Sequence, residues 1–303
     1  MKVRQMSPFL VTTLALSLTN NIASLDKIAS AGNEYAANLT EKETANTQKE
    51  EENALVFQNE SKTSWDYEYV DPTALSTASK EWYFLSNKTH SVPSVAKDID
   101  LKKYNAFYVG NTSEKEIYLT FDEGYENGYT PQILNTLKFY NVKATFFCTL
   151  PFMKANPELV KKMKEEGHIV ASHSINHKRS STLSADTLKS EIEGPANYYK
   201  ELTGEDMPKF FRPPEGEYSE RSLAITNNMG YRTIFWSFAY KDWVTTAQPA
   251  PMTAYNTVME KYHNGCIMLL HAVSSANAKS LGWMIDSLQK EGYTFKTLYD
   301  LPE

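Results

Sequence analysis

Cysteine is almost absent from this 303-residue chain: Cys148 in KATFFCTL and Cys266 in NGCIMLLH are the only two. Both lie in apolar runs, so they read as free, small buried hydrophobes, and the chain offers no catalytic thiol. Positive charge is also short. With 31 Lys and Arg against 37 Asp and Glu, the net charge is −6, and no stretch is basic enough to follow a phosphate backbone. That excludes nucleic acid as a partner. Long apolar runs are missing too. The N-terminal stretch from Phe9 to Leu18 is far shorter than the ~20 residues a transmembrane helix needs.

What is present begins with an export layout. Lys2 and Arg4 precede that apolar stretch, and the small residues Ala29, Ser30 and Ala31 follow it, as in a secretory leader. Residues 1–31 therefore read as a signal peptide cleaved near Ala31, with an uncleaved anchor as the alternative. No Cys stands near the cleavage point, which excludes a lipoprotein. Residues 32–64 hold seven Glu and three Lys with no Asp or Arg, a segment charge of −4 that leaves the remainder nearly neutral. So few apolar anchors cannot offset the entropy of ordering, and the segment reads as a disordered acidic linker. Aromatics return from Trp65 in WDYEYV, EWYF and KYNAFYV, so residues 65–115 read as an extension packed on the main domain.

From residue 116 short apolar runs alternate with segments of helical period. The runs are EIYLTF, ATFFC, HIVAS, KFFR, TIFWS, CIMLLH and a weaker YTFKTL. Between them lie segments such as NPELVKKMKEEG, where Asn156, Pro157 and Glu158 form a helix start and Gly167 a stop, and SADTLKSEIEGPANYYKELTG, which Pro195 should break or kink. Repeated strand–helix units joined by right-handed crossovers imply a parallel sheet. About seven strands give an α/β fold: a distorted, incomplete (β/α) barrel spanning residues 116–303.

Functional groups of such barrels sit where strands end. Asp122 and Glu123 close IYLTF, His173 follows HIVAS, Arg212 follows KFF, Asp242 comes soon after TIFWS, and His271 ends CIMLLH. His173 and His177, four apart, can share one divalent ion if the turn between them is helical, with Glu123 completing the ligand set. A buried strand-end histidine and a helix cap are the plainer reading of that pair. Asp122, beside the ion, could take a proton from water. His271 with Asp242 as partner keeps its proton and is a candidate acid for a leaving amine. Two prolines stiffen RPPEG, so the Glu215 amide is the first free donor after Arg212 and a candidate oxyanion contact. Gly124 and Gly128 give the loop after Glu123 its backbone freedom. His90, His168 and His263 read as structural.

TFDEG at 120–124, HSINH at 173–177, RPPEG at 212–216, KDW at 241–243 and LLH at 269–271 occur in the order of the five motifs of the polysaccharide deacetylases of NodB-homology type, which this chain resembles. The resemblance implies metal-dependent hydrolysis of acetyl groups on carbohydrate. Asp122 matches the base, His173 and His177 the metal ligands, Arg212 the residue tuning the base, Asp242 the partner of the acid, and His271 the acid. Trp243 and Leu269 match residues lining the acetyl pocket. Two positions depart from the pattern, Glu123 and Ala239, where the family usually has Asp.

FDEGYENGYT, FWSFAYKDW, RPPEGEYSER and LLHAVSSANA resemble the delta-lactam-forming deacetylases, in which the second acid of the first motif is commonly Asn. That resemblance reaches back to about residue 80. It implies removal of the N-acetyl group of N-acetylmuramic acid in spore cortex peptidoglycan, a divalent ion with zinc expected, and glycan strands as the partner with no obligate protein partner. The place of action would be the cell wall or the space between the forespore membranes. A deacetylase of glucosamine units or another acetylated glycan is the alternative within the enzymes. A carbohydrate-binding protein that kept the barrel without the chemistry is the alternative outside them.

Overall fold

The computed structural model describes Trp65 and residues 67 to 302. The leader or anchor read at 1–31 and the acidic linker read at 32–64 lie outside the described residues. Twelve strands are named in chain order: β1 Lys80–Glu81, β2 Phe84–Leu85, β3 Ser94–Val95, β4 Ala106–Phe107, β5 Glu116–Glu123, β6 Thr145–Cys148, β7 Ile169–Ser172, β8 Phe210–Phe211, β9 Glu217–Tyr218, β10 Arg232–Ile234, β11 Cys266–His271 and β12 Thr294–Lys296.

Seven strands lie side by side in the order β11-β5-β6-β7-β8-β10-β4, with β12 paired to the start of β5, and every pairing is parallel. Helices Thr130–Phe139, Pro157–Glu165, Ala185–Thr203, Glu220–Asn228, Pro251–Met259 and Ser275–Lys290 supply the crossovers. This is the distorted, incomplete barrel expected from the sequence. The ladder does not close. Between the β10 side and β11 the joins are single bridges, Phe238 to Met268 and Val109 to Cys266, with the Leu269 N–H donating to the Phe238 carbonyl at 2.9 Å.

Alternation along the strands divides the apolar residues into two layers. Tyr118, Phe147, Ala171, Phe210 and Ile267 fill the barrel interior. Leu119, Phe121, Phe146, Val170 and Leu270 face the helices in a larger cluster. Cys148 and Cys266 are buried in that second cluster as free thiols, with burial pushing the Cys266 thiol up to about 12.

The structure refines three local readings, and of the two outcomes read for Pro195 it excludes the break. The sheet begins at β4, inside the stretch read as an extension, because Ala106 and Phe107 pair with Thr233 and Ile234. Pro195 does not break its helix, which runs on from Ala185 to Thr203 with the ring buried. Asn156 precedes Pro157 but makes no side-chain cap, since its Nδ2 instead donates to the Phe152 carbonyl at 3.0 Å. That carbonyl ends the short helix Leu150–Ala155, capped in turn by Thr149.

The segment before β4 lies against the barrel. Trp82 stacks on Phe235 with centroids 4.6 Å apart and donates to the Trp236 carbonyl at 2.8 Å. Strand β1 pairs antiparallel with β9, the strand that follows the Glu215 turn.

Candidate active site

The pairing of β5 with β11 sets Ile267 beside Tyr118, Leu269 beside Thr120 and His271 beside Asp122. Neighbours in a parallel ladder point to the same face, so these pairs form three successive interior layers. Asp122 and His271 belong to the last one, at the strand ends. His173 follows β7 and Arg212 follows β8, each with interior parity. Asp122, His173 and His271 line a cavity of about 1040 Å³, whose lining also includes His177, Glu215, Trp243 and Leu269.

Arg212 forms the floor beneath Asp122. It is fully buried, and its Nη1 donates to Asp122 Oδ1 at 2.7 Å. Its Nη2 donates to Thr120 Oγ1 at 2.9 Å, its Nε donates to the Ile234 carbonyl at 3.1 Å, and its guanidinium lies 4.1 Å from the Phe147 ring centre. Such a satisfied buried guanidinium is a fixed charge. Burial alone would raise the Asp122 carboxyl, but Arg212, His173 and His271 outweigh it and hold it below the usual range. Asp122 is therefore ionised at neutral pH.

His271 has the complementary arrangement. Its Nδ1–H donates to Asp242 Oδ1 at 2.7 Å, and its backbone N–H donates to Asp242 Oδ2 at 2.8 Å. Asp242 is fully buried and takes a further hydrogen bond from Asn277 Nδ2 at 2.6 Å, while Tyr240 donates to Asn277 Oδ1. Burial works against a charged ring, yet the hydrogen bond and charge of Asp242, with Asp122 beyond, raise the His271 pKa above its ordinary value. With Nδ1 committed, the proton His271 can deliver is the one on Nε2. The Trp243 ring, half exposed, stands 5.4 Å from the imidazole, and Leu269 is buried below it.

His173 and His177 come together without a helix. Ser174 and His177 both adopt left-handed backbone, with φ of 72° and 53°. Such conformations cost about 1 kcal/mol or more and persist only where the surroundings impose them. Glu191 imposes this one: its buried carboxylate accepts from the N–H groups of Ile175 at 2.9 Å and Asn176 at 2.8 Å. Gly194 lets the helix carrying Glu191 approach, since a Cβ there would lie 2.4 Å from Ile175. The two imidazole centroids end 4.9 Å apart. His173 Nδ1–H donates to the Arg212 carbonyl at 2.9 Å, leaving the Nε2 lone pair open 3.6 Å from Asp122 Oδ2. Burial brings the His173 pKa down to about 4, so the ring is neutral. A neutral imidazole whose other nitrogen is tied to a carbonyl has the form a metal ligand takes.

Glu123 does not join them. It follows Asp122 on the same strand and faces the helix layer, where Thr130 Oγ1 donates to its Oε1 at 3.2 Å. It is fully buried, and burial, with Glu126 and Asp122 nearby, pushes its carboxyl well above the ordinary range. Among the described residues no group of three His, Cys, Asp or Glu side chains is arranged to hold an ion. The two imidazoles thus fit a divalent ion, and Glu123 as placed does not complete the set.

Glu215 lines the cavity with its own backbone left-handed, φ 59°. Gly128 takes φ 87°, whereas Gly124 has no positive φ. His168 accepts from the Ala144 N–H through Nδ1 at 3.2 Å and plays a structural part. The sequence reading missed Thr120, Glu191 and Asn277, which orient Arg212, the histidine loop and Asp242. Asn277 stood within LLHAVSSANA, six residues after His271, and that spacing across a helix start was the available signal.

The strand ends of this parallel barrel thus bring a carboxylate–guanidinium pair beside a histidine–carboxylate pair. Residues 109–234 match the polysaccharide deacetylase family. Peptidoglycan-N-acetylmuramic acid deacetylase PdaA of Bacillus subtilis is 44% identical over 222 residues, 73% of this chain and 84% of that protein. The structure of Bacillus subtilis PdaA, a family 4 carbohydrate esterase, superposes with a TM-score of 0.73 at 42% identity, covering 75% of this chain and 98% of that one. A peptidoglycan-N-acetylglucosamine deacetylase of Bacillus cereus is 33% identical over 210 residues, 68% of this chain and 96% of that protein. The chain belongs to the polysaccharide deacetylase family, and it is a hydrolase.

Proposed function

We propose that this protein removes the N-acetyl group from N-acetylmuramic acid in peptidoglycan, leaving a free amine that can close onto the neighbouring lactyl carboxyl as muramic delta-lactam. The observation that carries the reading is the adjacent pair of Asp122 and His271, one held ionised by Arg212 and the other held protonated by Asp242. Asp122 takes a proton from the attacking water as its oxygen bonds to the acetyl carbon. The oxyanion that develops on the acetyl oxygen meets the Glu215 amide, at a turn fixed by Pro213 and Pro214. His271 Nε2 then gives its proton to the amine nitrogen as the C–N bond breaks, releasing acetate. Leu269 and Trp243 wall the acetyl methyl.

His173 and His177 would hold a divalent ion, zinc being the expected one. Such an ion polarises a carbonyl and acidifies water. The 44% identity to the muramic acid deacetylase PdaA supports muramic acid over glucosamine, and the export layout at residues 1–31 supports action at the cell wall; the spore cortex as its place rests on the resemblance to the delta-lactam-forming deacetylases. No helix among the described residues is long and apolar enough to cross a membrane.

Mass spectrometry of peptide-stripped peptidoglycan after incubation with the purified protein tests the reading, with a chelator and then added zinc as further arms. Loss of 42 mass units (one acetyl exchanged for hydrogen) from muramic residues, abolished by chelator and restored by metal, is expected, the unit being fixed by the bond broken. Loss from glucosamine residues instead would move the substrate to the alternative. No loss from either would leave a binding protein.

A further inference from the structure

We infer that Lys241 binds the ionised carboxylate of the lactyl ether on O3 of the muramic residue, and so selects stem-peptide-free muramic acid over N-acetylglucosamine. The inference rests on the deacetylase reading above and adds to it the residue that reads the sugar.

In muramic acid the lactyl ether sits on C3, next to the C2 that carries the acetamide. Once the acetamide carbonyl lies between Asp122 and His271, the lactyl group has to fall within the same cavity or at its mouth. A free lactyl carboxyl is ionised at neutral pH, like other carboxyls. The cavity already contains two carboxylates, Asp122 and Glu215. Arg212 compensates Asp122 from below, but it is fully buried and satisfied, so it has nothing left for the substrate. The protonated His271 is taken up with the leaving nitrogen, so an incoming anion needs a separate cation.

Among the described residues, Lys241 is the one Lys or Arg in the lining of that cavity. Its side chain is exposed and makes no ion pair among the described residues. Its main chain is held on both sides. Tyr240 is tied through its hydroxyl to Asn277, and Asp242 is tied to His271 and Asn277. The ammonium is thus delivered by a rigid segment next to the acid, on a flexible stem that can follow the substituent. Arg179, the guanidinium on the Glu215 side, is committed elsewhere, with Nη2 at 2.7 Å from Glu81 and Nη1 at 4.0 Å from Glu215.

Two selectivities follow. N-acetylglucosamine has a hydroxyl on O3 and offers Lys241 no charge. A muramic residue still carrying its stem peptide has an amide in place of the carboxylate and offers none at the lactyl position. The same carboxyl is the one that closes the lactam, so the residue would favour glycan in which cyclisation can follow.

The test compares kcat/KM for acetate release from muramic glycan with a free lactyl carboxylate and from the same glycan with that carboxyl converted to its amide. The full-length protein is compared with Lys241→Gln and Lys241→Arg, with folding checked by thermal melts. The wild-type protein should prefer the free acid by about ten-fold or more, through KM, the low end for a charge-assisted hydrogen bond. That preference should shrink as salt is added. Lys241→Gln should bring the ratio near one and Lys241→Arg should keep it. An undiminished preference in folded Lys241→Gln, with muramic acid still deacetylated, overturns the role of Lys241 and leaves the deacetylase reading standing. Absence of acetate from both wild-type reactions, with melts normal, overturns the reading and this inference together.

Discussion

Asp122 and His271 are register partners on the adjacent parallel strands β5 and β11, so a single backbone ladder sets the carboxylate and the imidazole side by side. Each is then biased by a different buried partner, Arg212 below the carboxylate and Asp242 behind the imidazole. The pair is tuned apart: the Asp122 carboxyl is made easier to ionise and the His271 ring harder to deprotonate.

The raised pKa of His271 fixes one limb of the pH profile. The protonated ring is the active form, so kcat/KM should hold below that pKa and fall as pH rises through it, above the ordinary histidine value of 6.5. Asp242→Asn removes the charge that raises it, and the alkaline limb should move to lower pH. A limb that stays in place in this variant would detach Asp242 from the acid.

Arg212 should matter as much for folding as for turnover. Arg212→Ala leaves Asp122 buried without its partner, and breaking a buried pair in this way costs about 3–5 kcal/mol. Thermal or denaturant melts check it. Asp122→Asn should be milder, because the amide oxygen can still accept from the guanidinium.

Glu123 should behave as a buried structural acid. With its folded pKa above the ordinary 4.5, the folded state binds the proton more tightly than the unfolded chain. Stability contributed by that proton is complete below the ordinary pKa and is lost as pH rises toward the folded one. Glu123→Gln should remove this decline in urea melts taken across the acid and neutral range. Zinc affinity by calorimetry should be close to wild type in Glu123→Gln and should collapse in His173→Ala and His177→Ala.

Asn277 contacts neither substrate nor water in the scheme, yet it positions Asp242. Asn277→Ala should lower kcat by about ten-fold with little change in KM, the lower range for losing an outer orienting partner. Steady-state acetate release separates the two constants.

The groups that converge on the cavity were legible because each stands at the end of an apolar run, and parallel barrels place strand ends on one rim. The same alternation also held the answer for Glu123. If Asp122 faces the interior, its neighbour on the strand faces the helices, and assigning both to one site contradicts a period of two. The histidine loop could not be read locally. Its left-handed Ser174 and His177 are imposed by Glu191, a residue on the following helix, and nothing in SHSINH itself demands that geometry. Strand β4 was hidden for a similar reason, since two residues at a sheet edge carry no period to detect.

The central claim is that Asp122 and His271 are base and acid for one amide hydrolysis. Acetate release from peptide-stripped muramic glycan by wild-type protein, Asp122→Asn and His271→Gln, each shown folded by melts, tests it most directly. Losses of about 10²–10⁴-fold in kcat for each variant, the usual worth of general acid–base groups, are expected. Near-wild-type turnover in either folded variant would contradict the assignment.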